Sequence, residues 1–510
     1  MRQFQCHLVA LAVTFMLMST TAAGQRPVSL VPAKPSAAPD YFCTWNIQGY
    51  VNSYASSERM RQEMNEGNVL GYGAFGRWVN FFPEVRPDLY FVLDDSWDIP
   101  AEGYQGKDHP AIGLLQLDAT RFPSFRGTPV QRMKGLADSI MACGWKGLGL
   151  WVAAQKAEQL ADEDETAFWH SRLQEMEAAG VRYWKVDWGR HDRDDTFRRQ
   201  LADDARRLAP HLTVENAMKN EYVTFSDAFR TYDVENIIAQ PVTIERVARL
   251  LPYRRSAEAR GLVNCEDEPY IAVGLGCTIG VMRHPFAGAL PDSRQDEAFP
   301  DAVRDLKRRL DEVIRGVRWH RIAEPFGVDG DCRIDTARLH DFWTYHQGES
   351  WVNHREGEAV RADAPARISR RMPLPKVKST AEDRPYVLAS RYPSGATALV
   401  AIGRTLDRSY ISRPVAVEIE VEDWKAPVGL FGVLGEVTLH CPSPLPAPSR
   451  LKVWAQDLKS HKAVDVTAQV RIHPDRIVVP AALIRRIGLS AASPGDLSDP
   501  GMVLQVRMKE

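Results

Sequence analysis

The nine residues VRYWKVDWG at positions 181–189 decide how the rest of the chain is read. Residues 181–188 (VRYWKVDW) read as a strand. Near its end stand Lys185 and Asp187, two residues apart and so on one face of the strand. Just before it, residues 164–180 place Phe168, Leu173 and Met176 on one helical stripe, with Gly180 as the stop. Just after it, residues 196–208 have helical spacing again and Pro210 closes them. The unit is helix, buried strand, helix.

The same alternation runs outward from about residue 40 to 320. Residues 88–95 (DLYFVLDD) and 147–153 (GLGLWVA) read as strands, with a helix at 128–143 between them that stops at Gly144. Short strands follow at 212–217 and 229–234, and the segments 245–251, 262–267, 280–285 and 302–317 continue the pattern. Repeated strand–helix units give a parallel sheet. About eight of them in roughly 280 residues match a closed (β/α)₈ barrel in size. An open doubly wound sheet is the competing arrangement, but no GxGxxG follows the first strand. The expected fold is α/β: a (β/α)₈ TIM barrel over residues 35–340, then a C-terminal antiparallel β-sandwich domain over 345–510. Residues 362–385, rich in Pro, Arg and Lys, read as an irregular linker, and 397–402, 415–421 (VAVEIEV) and 502–508 as strands beyond it.

The first residues stand apart from this fold. Arg2 precedes an apolar run at 8–18 broken only by Thr14, and small residues fill 19–24. That order is a signal peptide, residues 1–24, cut near Ala23 or Gly24. The run is too short to span ~30 Å of hydrocarbon comfortably, which ranks a membrane anchor lower. The expected protein is secreted or periplasmic, with no membrane association after cleavage. Six cysteines remain (Cys43, Cys143, Cys265, Cys277, Cys332 and Cys441), scattered and without a CxxC pair, which argues against a zinc site and a disulfide framework. The 510-residue chain carries a net charge of −2 with its Lys and Arg dispersed, so nucleic acid is not an expected partner. A neutral or weakly charged substrate fits better. No signal for an oligomeric state is present.

A (β/α)₈ barrel carries its chemistry at the C-terminal ends of its strands. Here those ends fall near Trp45, at Asp94 and Asp95, at Trp151, at Lys185 to Trp188, at Glu215 and Asn216, at Arg230 and Asp233, near Asp267 and near His284. Any one of these carboxylates reads equally well as a helix cap or turn residue. Acidic groups at five of eight ends, with Trp at three, are harder to explain as caps. Carboxylates hydrogen-bond sugar hydroxyls, aromatic faces cover pyranose rings, and two carboxylates across a glycosidic bond supply nucleophile and acid.

Four stretches, in order, resemble the glycoside hydrolase clan that contains the α-galactosidases (melibiases) and α-N-acetylgalactosaminidases. They are LDDSWD at 93–98; RFPSF at 121–125 followed by MKGLADSIMACGWKGLGLWV at 133–152; YWKVDWG at 183–189; and FRTYDV at 229–234. The resemblance covers about residues 41–290. It implies that Asp187 is the catalytic nucleophile and Asp233 the general acid/base. Lys185 would hold sugar hydroxyls and help keep Asp187 ionised, while Asp94 and Asp95 bind distal hydroxyls. Trp45 and Trp151 would line the sugar, and Arg230 and Asp267 complete the substrate-binding set. Glu215 would sit by the sugar 2-hydroxyl, where an N-acetyl group clashes, favouring galactose or L-arabinopyranose.

Three departures from the family pattern matter. Arg230 and Asp233 are three residues apart instead of four, which leaves Glu235 and Asp227 as substitutes, since a one-residue slip turns a strand side chain to the other face. Trp188 and Gly189 follow Asp187 where Asn-Cys is frequent. Strand seven reads Asn264-Cys265-Glu266-Asp267-Glu268 in place of N-D-P-D. The expected activity is a retaining α-glycosidase acting through a covalent glycosyl-enzyme on terminal α-galactosyl or similar residues of oligo- or polysaccharides, with no cofactor or metal required. A transglycosylase of the same clan and a carbohydrate-binding protein without catalysis are the alternatives.

Overall fold

The computed structural model describes residues 29–101, 109–231, 237–294, 304–346 and 357–509. The signal peptide read at 1–24 lies outside them, as do Asp233 and Glu235. Eight parallel strands close into a barrel in sequence order, so the doubly wound alternative is excluded. They are β1 (Tyr41–Cys43), β2 (Tyr90–Leu93), β3 (Gly147–Val152), β4 (Val181–Val186), β5 (Thr213–Asn216), β6 (Ala228–Arg230), β7 (Leu262–Glu266) and β8 (Thr278–Val281). β1 closes the ring by pairing with both β2 and β8.

Local sequence sets the helices between them. Three short helices fill the long β1–β2 connection: α1 (Trp45–Val51), α2 (Ser57–Gln62) and α3 (Glu66–Leu70). α4 (Pro129–Ala142) opens with a capping box in which Thr128 and Gln131 satisfy each other's backbone amides. α5 (Glu165–Ala179) is capped by Asp164 and ends at Gly180, whose φ of 82° is the left-handed turn that favours glycine. α6 (Asp195–Leu208) begins at Asp194, whose carboxylate accepts from the amides of Thr196 and Phe197. α7 (Ala239–Leu250), α8 (Pro269–Gly274) and α9 (Leu310–His320) complete the ring. β4 therefore turns Trp184 outward against Trp169 of α5, with ring centroids 6.4 Å apart, and Tyr183 and Lys185 inward.

The C-terminal region packs an eight-stranded sheet on a five-stranded one, with Leu399, Leu430 and Val453 of the first and Val417, Val437 and Ile477 of the second in one core. Parallel pairs, such as Thr397–Ile402 with Val428–Gly432, interrupt the expected antiparallel order. The sandwich also starts earlier than residue 345: Cys332–Ile334 already pairs with Arg367–Arg370 in its larger sheet. The stretch expected to be an irregular linker at 362–385 instead holds strand residues of Ala359–Pro365, Arg367–Arg370 and Lys376–Val377. Pro and Arg misled there because the Arg side chains make ion pairs: Arg367 to Asp335 and Arg371 to Asp329. Arg315 of α9 ties barrel to sandwich through a buried pair with Asp457, at 3.0 Å. The six described cysteines are free thiols. No helix among the described residues is long and apolar enough to cross a membrane.

Candidate active site

The strand ends converge on one cluster. Asp187 follows β4 directly, and its carboxylate is held from two sides. Trp151, at the end of β3, donates its indole N–H to Oδ2 at 2.9 Å. Arg230, at the end of β6, brings a guanidinium nitrogen to 2.5 Å from Oδ1. The Asp187 side chain keeps 10% exposure, against 5% for Asp94, 2% for Glu266 and none for Glu215. Of these four carboxylates it is the most exposed.

Beside it lies a buried ion pair. Lys185 Nζ is 2.9 Å from Asp94 Oδ2, and the Cys43 thiol donates to the same oxygen at 2.8 Å. Burial opposes charge on both partners. Lys185, the Cys43 thiol and the amide of Asp95 nevertheless hold Asp94 below its ordinary value, and Asp94 leads the groups that hold Lys185 well above its own. Asp95 turns away from this pair. It accepts from Ser96 and meets Arg61 Nε at 2.5 Å, and burial raises its carboxyl. The Arg61 guanidinium then lies over Trp45, 5.7 Å from the ring centroid, and Trp188, at 5.9 Å. Trp188 in turn packs against Trp151, centroids 5.2 Å apart. Three tryptophans and one arginine thus form a wall above Asp187. Of the expected residues, Asp94, Lys185, Asp187, Trp151 and Arg230 come together directly, and Trp45 and Asp95 join through Arg61.

Glu215 does not take the place expected of it. It is wholly buried, with both oxygens engaged: Tyr183 and Asn264 donate to Oε2 at 2.7 and 2.6 Å, and Arg230 lies 3.3 Å from Oε1. Four protein donors, counting Tyr41 at 3.5 Å, leave it nothing to offer a sugar hydroxyl. Its work is to seat Arg230. The argument from Glu215 for galactose over N-acetylgalactosamine therefore falls. Asp267 is tied in through one oxygen only, Oδ2 having no hydrogen-bond partner among the described residues. Its Oδ1 accepts from the amides of Met282 and Arg283 and pairs with the Arg283 side chain at 3.0 Å, fastening the end of β7 to the turn after β8. Asp227 is excluded as an acid/base by position. It precedes β6 at the N-terminal end of the barrel, where its carboxylate accepts from Val214. Asp233, the expected acid/base, lies outside the described residues. His284 is packed under Tyr50, centroids 4.7 Å apart, and burial drives it toward its neutral form.

Glu266, the last residue of β7, is the group that sequence reasoning missed. Its Oε1 lies 3.7 Å from Lys185 Nζ and 3.8 Å from Arg230 Nε, and Oε2 has no hydrogen-bond partner among the described residues. Burial lifts its carboxyl to about 7 despite those two cations. Strand alternation held the signal: Asn264 and Glu266 share the inward face of β7, and Asp267 is one step past it. Arg61 came from the β1–β2 connection, where no strand-end rule looks.

The cluster therefore sets four carboxyl groups (Asp94, Asp187, Glu215 and Glu266) around two cations, Lys185 and Arg230. An excess of acidic groups in a water-poor cleft stabilises positive charge developing above it. No group of His, Cys, Asp and Glu among the described residues is arranged to hold a metal ion.

No protein-family model matches the chain, and no curated protein matches it. Among solved structures it is similar to α-galactosidase I of Mortierella vinacea, with 11% identity over 93% of this chain and 97% of that one, at a TM-score of 0.42. It is also similar to a β-L-arabinopyranosidase of Geobacillus stearothermophilus, with 12% identity over 93% and 96% of the two chains and a TM-score of 0.41. An α-galactosidase of Saccharomyces cerevisiae, solved with raffinose, shares 9% identity over 93% of this chain and all of that one, at a TM-score of 0.39.

Proposed function

We propose that this protein is a secreted retaining α-glycosidase that removes terminal α-galactosyl, or closely similar, residues from oligo- or polysaccharides, with Asp187 as nucleophile. One observation carries the reading. Asp187 stands at the end of β4, oriented by Trp151 and Arg230 and still open to the mouth, beside a buried Lys185–Asp94 pair. An oriented, charge-supported carboxylate is what attack on an anomeric carbon requires.

In this mechanism Asp187 attacks the anomeric carbon as the bond to the leaving oxygen breaks. Asp233 delivers its proton to that oxygen. The positive charge that develops on the ring is met by the acidic cluster. Asp233 then takes a proton from water, which displaces Asp187 and restores both groups. A retaining pair works at a carboxyl separation of about 5–5.5 Å. Lys185, Asp94 and Glu266, which cluster beside Asp187, would hold ring hydroxyls. The galactosyl assignment rests on the motif resemblance, Glu215 having lost its part in it.

The test is hydrolysis of aryl α-glycosides by the purified mature protein beside Asp187→Ala. Turnover of the α-galactoside that disappears in the variant supports the proposal. Turnover of a different α-glycoside replaces the sugar and keeps the mechanism. Binding of sugar without turnover of any aryl glycoside overturns it in favour of a carbohydrate-binding protein.

A further inference from the structure

The main chain of Asp187 is held by a cation that no step above uses. Arg198, in the first turn of α6, is wholly buried. Its Nη2 donates to the Asp187 carbonyl at 2.5 Å, and Nη1 to the Val186 carbonyl at 3.3 Å. Nη1 also donates to Asn216 Oδ1 at 3.0 Å, and Nε to the His191 carbonyl at 3.3 Å. We propose that Arg198 is a positioning residue: its guanidinium fixes the backbone from which the Asp187 carboxylate projects, and so governs the rate of covalent attack and not the binding of the sugar. The inference rests on Asp187 being the nucleophile.

The geometry leaves the Asp187 backbone little freedom. β4 pairs with β5 only as far as Lys185 opposite Glu215. Past that point the Arg198 fork takes the place of a neighbouring strand for the carbonyls of Val186 and Asp187. The Asp187 amide is held as well, donating to the Val152 carbonyl of β3 at 2.9 Å. Arg230 reaches the same peptide, its Nη1 donating to the Val186 carbonyl at 3.5 Å. One arginine therefore orients the carboxylate and the other the main chain that carries it. The Arg198 fork is anchored in turn. Asn216 donates to Ser226 Oγ at 2.8 Å, and Ser226 to the Tyr222 carbonyl at 2.7 Å.

Stability alone is a poor reason for this arrangement. All four acceptors are uncharged, and among the described residues no carboxylate forms an ion pair with Arg198. Burial, with the charge of Arg230 adding to it, pulls the guanidinium down to about 10, against the opposing pull of Asp187. A cation near a helix N-terminus also opposes the helix dipole. A buried charge without a counter-ion is destabilising. Neutral donors would satisfy these carbonyls with a smaller desolvation penalty. Only the planar fork of arginine spans three carbonyls and an amide oxygen at once. Sequences depart from the most stable local choice chiefly at functional sites. Covalent attack is sensitive to such placement, since a displacement of ~1 Å can lower a rate by roughly a hundredfold.

The test is covalent labelling by 5-fluoro-α-galactosyl fluoride in wild type, Arg198→Lys and Arg198→Met, with urea unfolding alongside. The first-order rate constant at saturation reads the attack, and the half-saturating concentration reads binding of the sugar. Lysine keeps the cation without the fork, and methionine keeps neither. The proposal predicts a rate constant lower by about tenfold in Arg198→Lys and about a hundredfold in Arg198→Met, with the half-saturating concentration within about threefold of wild type. If Arg198→Met does not fold, Arg198→Lys decides alone. A rate constant within about threefold of wild type in folded Arg198→Lys, whatever its loss of stability, makes Arg198 a purely structural residue and overturns the proposal. A raised half-saturating concentration at an unchanged rate constant overturns it too. Either result leaves the proposed function standing. A wild type that neither turns over α-galactoside nor becomes labelled overturns the proposed function and this inference with it.

Discussion

Arg230 Nη2 lies 2.5 Å from Asp187 Oδ1, and the same guanidinium is seated from below by Glu215. One planar cation therefore joins the open carboxylate to the sealed one. Lysine keeps the charge but cannot bridge two carboxylates with a fixed fork. Arg230→Lys should retain a folded protein and lower kcat/KM by roughly tenfold or more. Arg230→Met leaves Glu215 buried without its cation and should cost about 3–5 kcal/mol of stability. Urea unfolding and steady-state kinetics check both. Wild-type kinetics in Arg230→Lys would remove the guanidinium from the account.

Trp151→Phe keeps an aromatic ring beside Trp188 and deletes only the N–H that Asp187 accepts. A hydrogen bond to a charged group is worth about 1.5–3 kcal/mol. Realised in the transition state, that predicts a loss in kcat/KM between about tenfold and a hundredfold. A change of less than twofold would make Trp151 a packing residue.

Lys185→Met should be strongly destabilising, by about 3–5 kcal/mol, because Asp94 is then a buried carboxylate without its cation. Adding Asp94→Leu removes the stranded charge and should recover a large part of the stability, while activity stays lost. The double-mutant cycle reads this coupling. Additive losses would show that the two side chains do not depend on each other.

Glu266 binds its proton more tightly in the folded state, near pH 7, than an unfolded glutamate, at about 4.3. Its contribution to stability is complete below about pH 4.3 and is lost as pH rises through 7. Burial opposes its charge more than Lys185 and Arg230 favour it. Glu266→Gln lacks this titration, so its stability relative to wild type should increase between pH 5 and pH 8. Urea unfolding at the two values measures that difference. A difference independent of pH would show that Glu266 titrates normally.

The barrel was legible because β3 is a continuous apolar run, β4 repeats short strand signals between helical stretches, and the helices around them carry their own caps at Thr128, Asp164 and Asp194. Asp187, Lys185, Asp94 and Trp151 were legible for a related reason: strand-end position and period-two alternation place them without tertiary information. What escaped was which carboxylates face the opening. Glu215 and Glu266 both point inward near the ends of their strands. Only the packing of Tyr183, Asn264 and Arg230 decides that the first is sealed and the second keeps an oxygen without a partner among the described residues. The start of the sandwich at Cys332 escaped as well, because a three-residue strand paired to a partner more than thirty residues later leaves no local pattern.

In the proposed mechanism Asp187 forms the covalent intermediate. A 5-fluoro-α-galactosyl fluoride should form that intermediate quickly and release it slowly, trapping one sugar per chain. Intact mass followed by peptide mapping should then place the added sugar on the Asp187 carboxylate, in the peptide that holds Trp184 to Trp188. Labelling at Glu266 or at Asp233, or turnover of the reagent with no covalent adduct at any time, would contradict it.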